Sequence, residues 1–138
     1  MHQTENREPI IEIENLISHY GERQVLYDID LTVFKGEVMV IMGGSGSGKS
    51  TLLRHLLGLK KPTTGNIRIF GKNVEQARRK ELYQLRKNMG VAFQGGALFG
   101  SMTVGDNVKL PLREHTRLDQ NTMNIMTRMK LEVVNLAG

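Results

Sequence analysis

The stretch Gly43-Gly44-Ser45-Gly46-Ser47-Gly48-Lys49-Ser50-Thr51 constrains this chain more than any other. It reads G-x-x-x-x-G-K-S and lies between two apolar segments of different period. Before it, Val38-Met39-Val40-Ile41-Met42 is an unbroken apolar run, the pattern of a strand buried on both faces inside a parallel sheet. After it, Leu52, Leu53, Leu56 and Leu57 recur at helical spacing, and Gly58 offers a stop. A strand, a glycine-rich loop and a helix in that order make a cradle for phosphates. Gly43, Gly44, Gly46 and Gly48 clear side chains from the anion's path, so backbone N–H groups can turn inward. The N-terminus of the helix adds a favourable dipole. Lys49 is expected to reach the β- and γ-phosphates of a nucleoside triphosphate, and the Ser50 hydroxyl to ligate Mg²⁺. A flexible Gly/Ser linker would not run into Lys-Ser and an apolar helix.

The chain has 138 residues and is 39% hydrophobic, enough for one domain with a core. It has no Cys, which excludes a disulfide framework or a thiolate metal site and suits a reducing compartment. No apolar stretch approaches the roughly 20 residues that span a bilayer. The start, Met1 to Asn6, lacks the charged-then-apolar layout of a secretion signal, so a cytoplasmic location is expected. The net charge of +5 suits phosphate ligands, an anionic membrane surface or nucleic acid. With no Trp, three Tyr and four Phe, no basic groove with stacking aromatics can be read, and no nucleic-acid partner is expected. Arg78-Arg79-Lys80, with Arg86 and Lys87, reads as the solvated face of a helix. His2, His19, His55 and His115 include no pair at zinc spacing, so no metal beyond Mg²⁺ is expected. Asp28, Asp30 and Asp106 read as strand-edge and capping residues.

Residues Ile10 to Leu16 and Val25 to Val33 alternate as half-buried antiparallel strands, with a polar turn from Ser18 to Gln24 between them. Pro62 to Gly65 is a turn, Ile67 to Phe70 a short strand, and Gln76 to Asn88 a charged helix with Leu82, Leu85 and Met89 on one side. Gly90 to Phe93 reads as another strand. Thr103-x-x-Asp106 has the form of a capping box with Asp for Glu, starting a helix that yields near Pro111. Asn121 or Thr122 is the expected cap of a last helix, whose Met126, Met129, Val133 and Leu136 form a stripe for the core.

Three further features narrow the class. Tyr20 stands two strands before the loop in Tyr-Gly-x-x-x-Val-Leu-Tyr-Asp-Ile-Asp-Leu. Gly58 to Ile67 reads Gly-Leu-Lys-Lys-Pro-Thr-Thr-Gly-Asn-Ile. Val91-Ala92-Phe93-Gln94 leads to Ala97-Leu98-Phe99 and Met102-Thr103-Val104-x-Asp106-Asn107-Val108. Together they resemble the first half of an ATP-binding cassette (ABC) transporter ATPase, from about Ile10 to Gly138. Pro111 to Thr116, with Phe93 to Phe99 and Met129 to Glu132, resembles the ATPase subunits of Mla-type phospholipid transporters of Gram-negative envelopes.

The resemblance implies an α/β fold: a P-loop NTPase of the ABC type, with an antiparallel β subdomain, part of a parallel sheet and flanking helices. One partial domain over residues 1–138 is expected, a nucleotide-binding core at 10–95 and, at 96–138, the loop after Gln94 with the start of a helical subdomain. It implies ATP and Mg²⁺ as ligands. Tyr20 would stack on the adenine, Gly43, Gly44, Ser45, Gly46, Ser47, Gly48, Lys49, Ser50 and Thr51 would hold phosphates and Mg²⁺, and Gln94 would join the Mg²⁺ and attacking water. Gly44 departs from the Pro common there in the family. Implied partners are transmembrane permease subunits, met between Gln94 and Leu112 with Phe99 and Met102 as candidate contacts, and a second ATPase subunit. The implied location is the cytoplasmic face of the inner membrane.

In the family, the Walker B acidic strand end, the catalytic Glu, the switch His and the signature Ser-Gly-Gly all lie beyond the position matching Gly138. None is found in these residues. Because phosphoryl transfer rests on positioning and charge stabilisation, this chain is expected to grip nucleotide without turning it over efficiently. The missing strand would also bare the apolar edge of Val38 to Met42. A non-catalytic remnant, an ABC ATPase for another cargo, and another P-loop class such as a small kinase or GTPase are the alternatives.

Overall fold

β1 (Pro9–Tyr20) and β2 (Arg23–Phe34) make a long antiparallel hairpin in the computed structural model, which describes residues 7–136. The polar stretch from Ser18 to Gln24 is not the wide turn its composition suggests. Ser18 pairs with Leu26, His19 with Gln24 and Tyr20 with Arg23, so only Gly21 and Glu22 turn. Ladder bonding does not need apolar side chains, and the buried Ser18 finds its own partner in His55. Midway, the register slips between Ile13 and Leu16, and Asn15 and Asp28 both take left-handed backbone angles (φ 49° and 51°). The slip changes the inward spacing from two to three, so Ile13 and Leu16 both reach the core. It is pinned by side chains: the Asn15 N–H donates to Asp30 Oδ1 at 2.7 Å, and Asn15 Nδ2 donates to Asp28 Oδ1 at 3.3 Å.

β3 (Thr64–Ile69) pairs with β1, and β4 (Lys72–Asn73) with β3, giving an antiparallel sheet of order β2-β1-β3-β4. Against it pack α1 (Lys49–Leu56) and α2 (Arg79–Arg86), which is shorter than the expected Gln76 to Asn88. Asn73 Oδ1 accepts from the N–H groups of Glu75 and Gln76, an Asx-type turn that occupies the residues before α2. The shared core is Ile13, Leu16, Leu26, Leu52, Ile67, Ile69, Val74 and Leu85. Each full burial of such a side chain contributes about 1.5–3 kcal/mol. α1 ends at Gly58 as its sequence predicts. Gly58 has φ +63°, its N–H donates to His55 O, and the Leu59 N–H reaches back to Arg54 O, the paired closure of a Schellman cap.

Two expected strands are absent. Neither Val38–Met42 nor Gly90–Phe93 pairs with any described segment. A parallel-sheet strand is held by ladder partners on its flanks, and among the described residues none is supplied. Val38–Met42 is therefore without regular secondary structure and has its apolar side chains exposed, Val38 and Met42 each at 88%.

The chain divides into two compact units, Met1–Met89 and Gly90–Gly138. The second holds α3 (Val104–His115) and α4 (Gln120–Val133), packed on each other. Thr103 caps α3 as expected, its hydroxyl accepting from the Asp106 N–H. The helix does not yield at Pro111 but runs on to His115. An interior proline costs roughly 3 kcal/mol, which packing on α4 and the closing bonds from Thr116 to Leu112 O offset. α4 is capped by Asp119 rather than by Asn121 or Thr122, with Asp119 Oδ1 accepting from the Thr122 N–H at 3.0 Å. Packing on α3 turns Met123 and Thr127 inward, with Met126 half-buried, and leaves Met129, Val133 and, past the helix end, Leu136 in solvent, so the expected methionine stripe is not the packed face. Thr127 can be buried because its hydroxyl donates to Met123 O within the helix.

Candidate nucleotide site

The loop Gly43–Gly48 closes on the first turn of α1. Gly48 is the N-cap residue at φ +95°, and a Cβ there would lie 2.8 Å from Leu26 Cδ2 and 3.1 Å from Val25 O. The loop is thus pressed onto β2 at a residue whose backbone turns left-handed, as it does at Gly46 too (φ +80°). No side chain caps α1 and its first turn carries no acid, whereas Thr103 and Asp119 cap α3 and α4. Its N-terminal N–H groups, which every helix leaves unpaired within itself, are left to an external acceptor. Lys49 folds back over the loop: its Nζ donates to Gly43 O at 2.6 Å, Gly44 O at 2.7 Å and Ser47 Oγ at 3.2 Å. One ammonium group thus sits where the loop carbonyls converge, close to the unpaired N–H groups. Ser45, Gly46 and Ser50 are exposed. Thr51 is buried, on the side of α1 that meets Tyr20. Gly44 has open space around a would-be Cβ, so the departure from Pro disturbs nothing in the loop.

These donors fit a nucleoside triphosphate with Mg²⁺. The anion would meet uncapped N–H groups and the Lys49 ammonium. Ser50 would supply one oxygen to Mg²⁺, an ion that usually keeps waters and phosphate oxygens as its other ligands. No group of three acidic or imidazole ligands exists among the described residues to compete for it.

Tyr20, from the end of β1, is brought to the same helix. Arg54 Nη1 donates to its hydroxyl at 3.0 Å, and Lys60 Nζ sits 4.1 Å from its ring centroid. Arg54 follows Lys49 by five positions, about 7.5 Å along the helix axis. The hydrogen bond from Arg54, with lesser help from Thr51 and the charges of Arg54 and Lys60, holds the phenol pKa below its ordinary value. Sequence reasoning placed Tyr20 but missed Arg54 and Lys60, because nothing local marks a contact across 34 or 40 positions.

His55 was also missed as a structural residue. It is fully buried, its Nδ1 2.8 Å from Lys60 O and its Nε2 2.8 Å from Ser18 Oγ. A carbonyl can only accept, so Nδ1 carries the proton and Nε2 accepts from Ser18. Burial holds its pKa below the ordinary imidazole value. Its position four residues after Thr51 and three after Leu52, on the apolar side of α1, was the available signal.

Gln94 belongs to the second unit, on an exposed turn closed by the Gly96 N–H donating to Phe93 O at 2.9 Å. Phe99 is exposed and Met102 half-buried. Asn107 fixes their segment: its amide accepts from the Phe99 N–H at 2.8 Å and donates to Phe99 O, Met102 O and Thr103 O. Asp28 and Asp30, on the outer strand β2, hold the bulge at Asn15, and Asp106 joins the cap of α3, in line with the strand-edge and capping roles expected of them.

A glycine-rich loop opening an uncapped helix, beside an antiparallel sheet and with an aromatic tethered to that helix, is the arrangement of a P-loop nucleotide-binding protein. The chain belongs to the ABC transporter family, whose model matches residues 26–136. It is 43% identical, over 93% of its length, to the probable ribonucleotide transport ATP-binding protein mkl of Mycobacterium tuberculosis, covering 36% of that protein. It is also 43% identical, over 94% of its length, to the intermembrane phospholipid transport system ATP-binding protein MlaF of Haemophilus influenzae and of Escherichia coli K12, covering 49% and 48% of them. The chain thus spans between about a third and a half of these relatives. Among solved structures it resembles the dimeric, post-hydrolysis ATP-binding cassette MJ0796 bound to ADP and Pi, with a TM-score of 0.81 and 29% identity over 91% of this chain and 57% of that one. The cassette cbiO1 of Clostridium perfringens gives a TM-score of 0.78 and 29% identity over 94% of this chain and 51% of that one.

Proposed function

We propose that this chain is the ATP-binding, N-terminal part of an ABC transporter ATPase that couples ATP hydrolysis to phospholipid transport. The observation that carries the nucleotide reading is the uncapped start of α1, with the Lys49 ammonium folded over the loop that precedes it. Phosphates would take over the bonds Lys49 now gives to its own loop. Tyr20 would stack on the base, Gly43 to Gly48 would wrap the phosphates and Ser50 would hold Mg²⁺. Gln94 would reach the metal and the attacking water, and Phe99 and Met102, on the segment clamped by Asn107, would face a permease subunit on the cytoplasmic side of the membrane. A second ATPase subunit completes the site, in keeping with the dimeric cassette it resembles.

The phospholipid cargo is supported by the MlaF relatives and by the residues from Pro111 to Thr116. The equal identity to mkl favours a second reading, an ABC ATPase for a different cargo. The two separate by which substrate, phospholipid or ribonucleotide, stimulates turnover of the assembled transporter.

The test of the nucleotide reading is Mg²⁺-ATP affinity of the 138-residue chain, measured by calorimetry beside Lys49→Ala. A charge-assisted hydrogen bond contributes about 1.5–3 kcal/mol, so the variant should bind roughly 10- to 150-fold more weakly. In the same chain hydrolysis should be negligible. Equal affinity of the two proteins would refute the reading, and Lys49-dependent turnover would refute the expectation that the chain only binds.

A further inference from the structure

We infer that Lys60 and Arg54 are positioning residues for the base: together they lock the Tyr20 ring and leave it one face on which a nucleobase can stack. This rests on the nucleotide reading of the Gly43 to Thr51 loop and deepens it. Tyr20 is a tethered ring. Its hydroxyl takes a hydrogen bond from Arg54 at 3.0 Å, which fixes the far end, and Lys60 lies over the ring at 4.1 Å. Lys60 is itself held, since its Nζ also donates to His19 O at 2.8 Å and its own carbonyl is bound by His55. The ammonium is therefore part of the framework and not a loose surface tip.

Two consequences follow from this geometry. With one face covered by a cation, stacking is restricted to the opposite face, and Tyr20 keeps 44% of its surface exposed. With hydroxyl and ring both anchored, the side chain has already lost its rotational freedom before a base arrives, so less is lost on binding. Both effects act on the base and leave the phosphates untouched, because Lys60 and Arg54 are not among the partners of the loop's own polar atoms.

The experiment compares ATP with inorganic tripolyphosphate, which has the phosphates and no base, on wild type, Lys60→Gln and Lys60→Arg. Gln keeps a donor for His19 O and removes the charge, while Arg keeps a cation over the ring. Circular dichroism checks that each variant folds. A cation over an aromatic ring at an exposed site corresponds to about a two- to fivefold change in affinity. Lys60→Gln should therefore weaken ATP by that factor and leave tripolyphosphate unchanged, and Lys60→Arg should restore ATP binding. Unchanged or tighter ATP binding by Lys60→Gln overturns the inference, and so does an equal loss for tripolyphosphate, which would make Lys60 a phosphate contact or a fold determinant. Binding of ATP that ignores Lys60 but needs Lys49 overturns this inference alone. Failure of the wild-type chain to bind either ligand overturns the nucleotide reading with it.

Discussion

Replacing Gly48 by Ala tests how tightly the phosphate loop is pressed onto the sheet. A Cβ at φ +95° costs on the order of 1–2 kcal/mol for the left-handed backbone alone. It would also stand 3.1 Å from Val25 O, which is backbone, and 2.8 Å from Leu26 Cδ2, the tip of a core side chain only 4% exposed. Overpacking of that kind adds about 1–3 kcal/mol. The sum, about 2–5 kcal/mol, is a large share of the 5–15 kcal/mol that a typical domain has. Gly44→Ala is the control, since a Cβ there meets nothing within 4 Å and the backbone is not left-handed. It should stay within about 0.5 kcal/mol of wild type. Urea unfolding followed by tyrosine fluorescence suits the question. The chain has no Trp, and its three tyrosines, Tyr20, Tyr27 and Tyr83, all lie in the unit that carries the loop. The expected result is a lower midpoint for Gly48→Ala at an unchanged slope. Midpoints for the two variants that agree within error would refute the argument that the loop is anchored at Gly48.

Other outcomes follow from single residues. His55 has a folded pKa below its unfolded value near 6.5, so the unfolded chain takes up a proton first and stability falls as pH drops below about 6.5, by up to about 1.4 kcal/mol per pH unit. Glu75, pushed up by burial, works in the opposite sense, so the test is the difference between wild type and His55→Gln in urea midpoints from pH 7.5 to 5. The variant should lose stability at neutral pH and lose this part of the acid slope, and parallel curves would refute the assignment. Asn107→Ala should release the Phe99 N–H, raising its amide hydrogen exchange at least tenfold if its bonds to the segment are worth about 1.4 kcal/mol or more. An unchanged rate would mean the segment holds itself.

The elements legible in the sequence were those set by local pattern. The alternation of Ile10 to Leu16 and Val25 to Val33, the leucines after Lys49, the stop at Gly58 and the cap at Thr103 all appear where neighbouring residues demand them. What failed depended on distant partners. Val38 to Met42 has the composition of a central strand, but a strand exists only where another pairs with it, and no described segment does. Pro111 marks a local stop that packing between α3 and α4 overrides. The methionine stripe follows one face of the helix, and contact with α3 selects another, the one that carries Met123 and Thr127. At the candidate site, the glycines and Lys49 mark in the sequence where the loop ends and α1 begins. The setting of Tyr20 is not marked there, because Arg54 and Lys60 reach it only after the strand and helix have come together.

Lys60 has two ends in use, and that makes it a strap between α1 and the end of β1. Its carbonyl takes the proton-bearing nitrogen of His55, and its ammonium covers Tyr20. His55 shares its small cavity with Lys60, Lys61 and Glu75. Because the ammonium also donates to His19 O, the residue that covers the ring also helps hold helix and strand together.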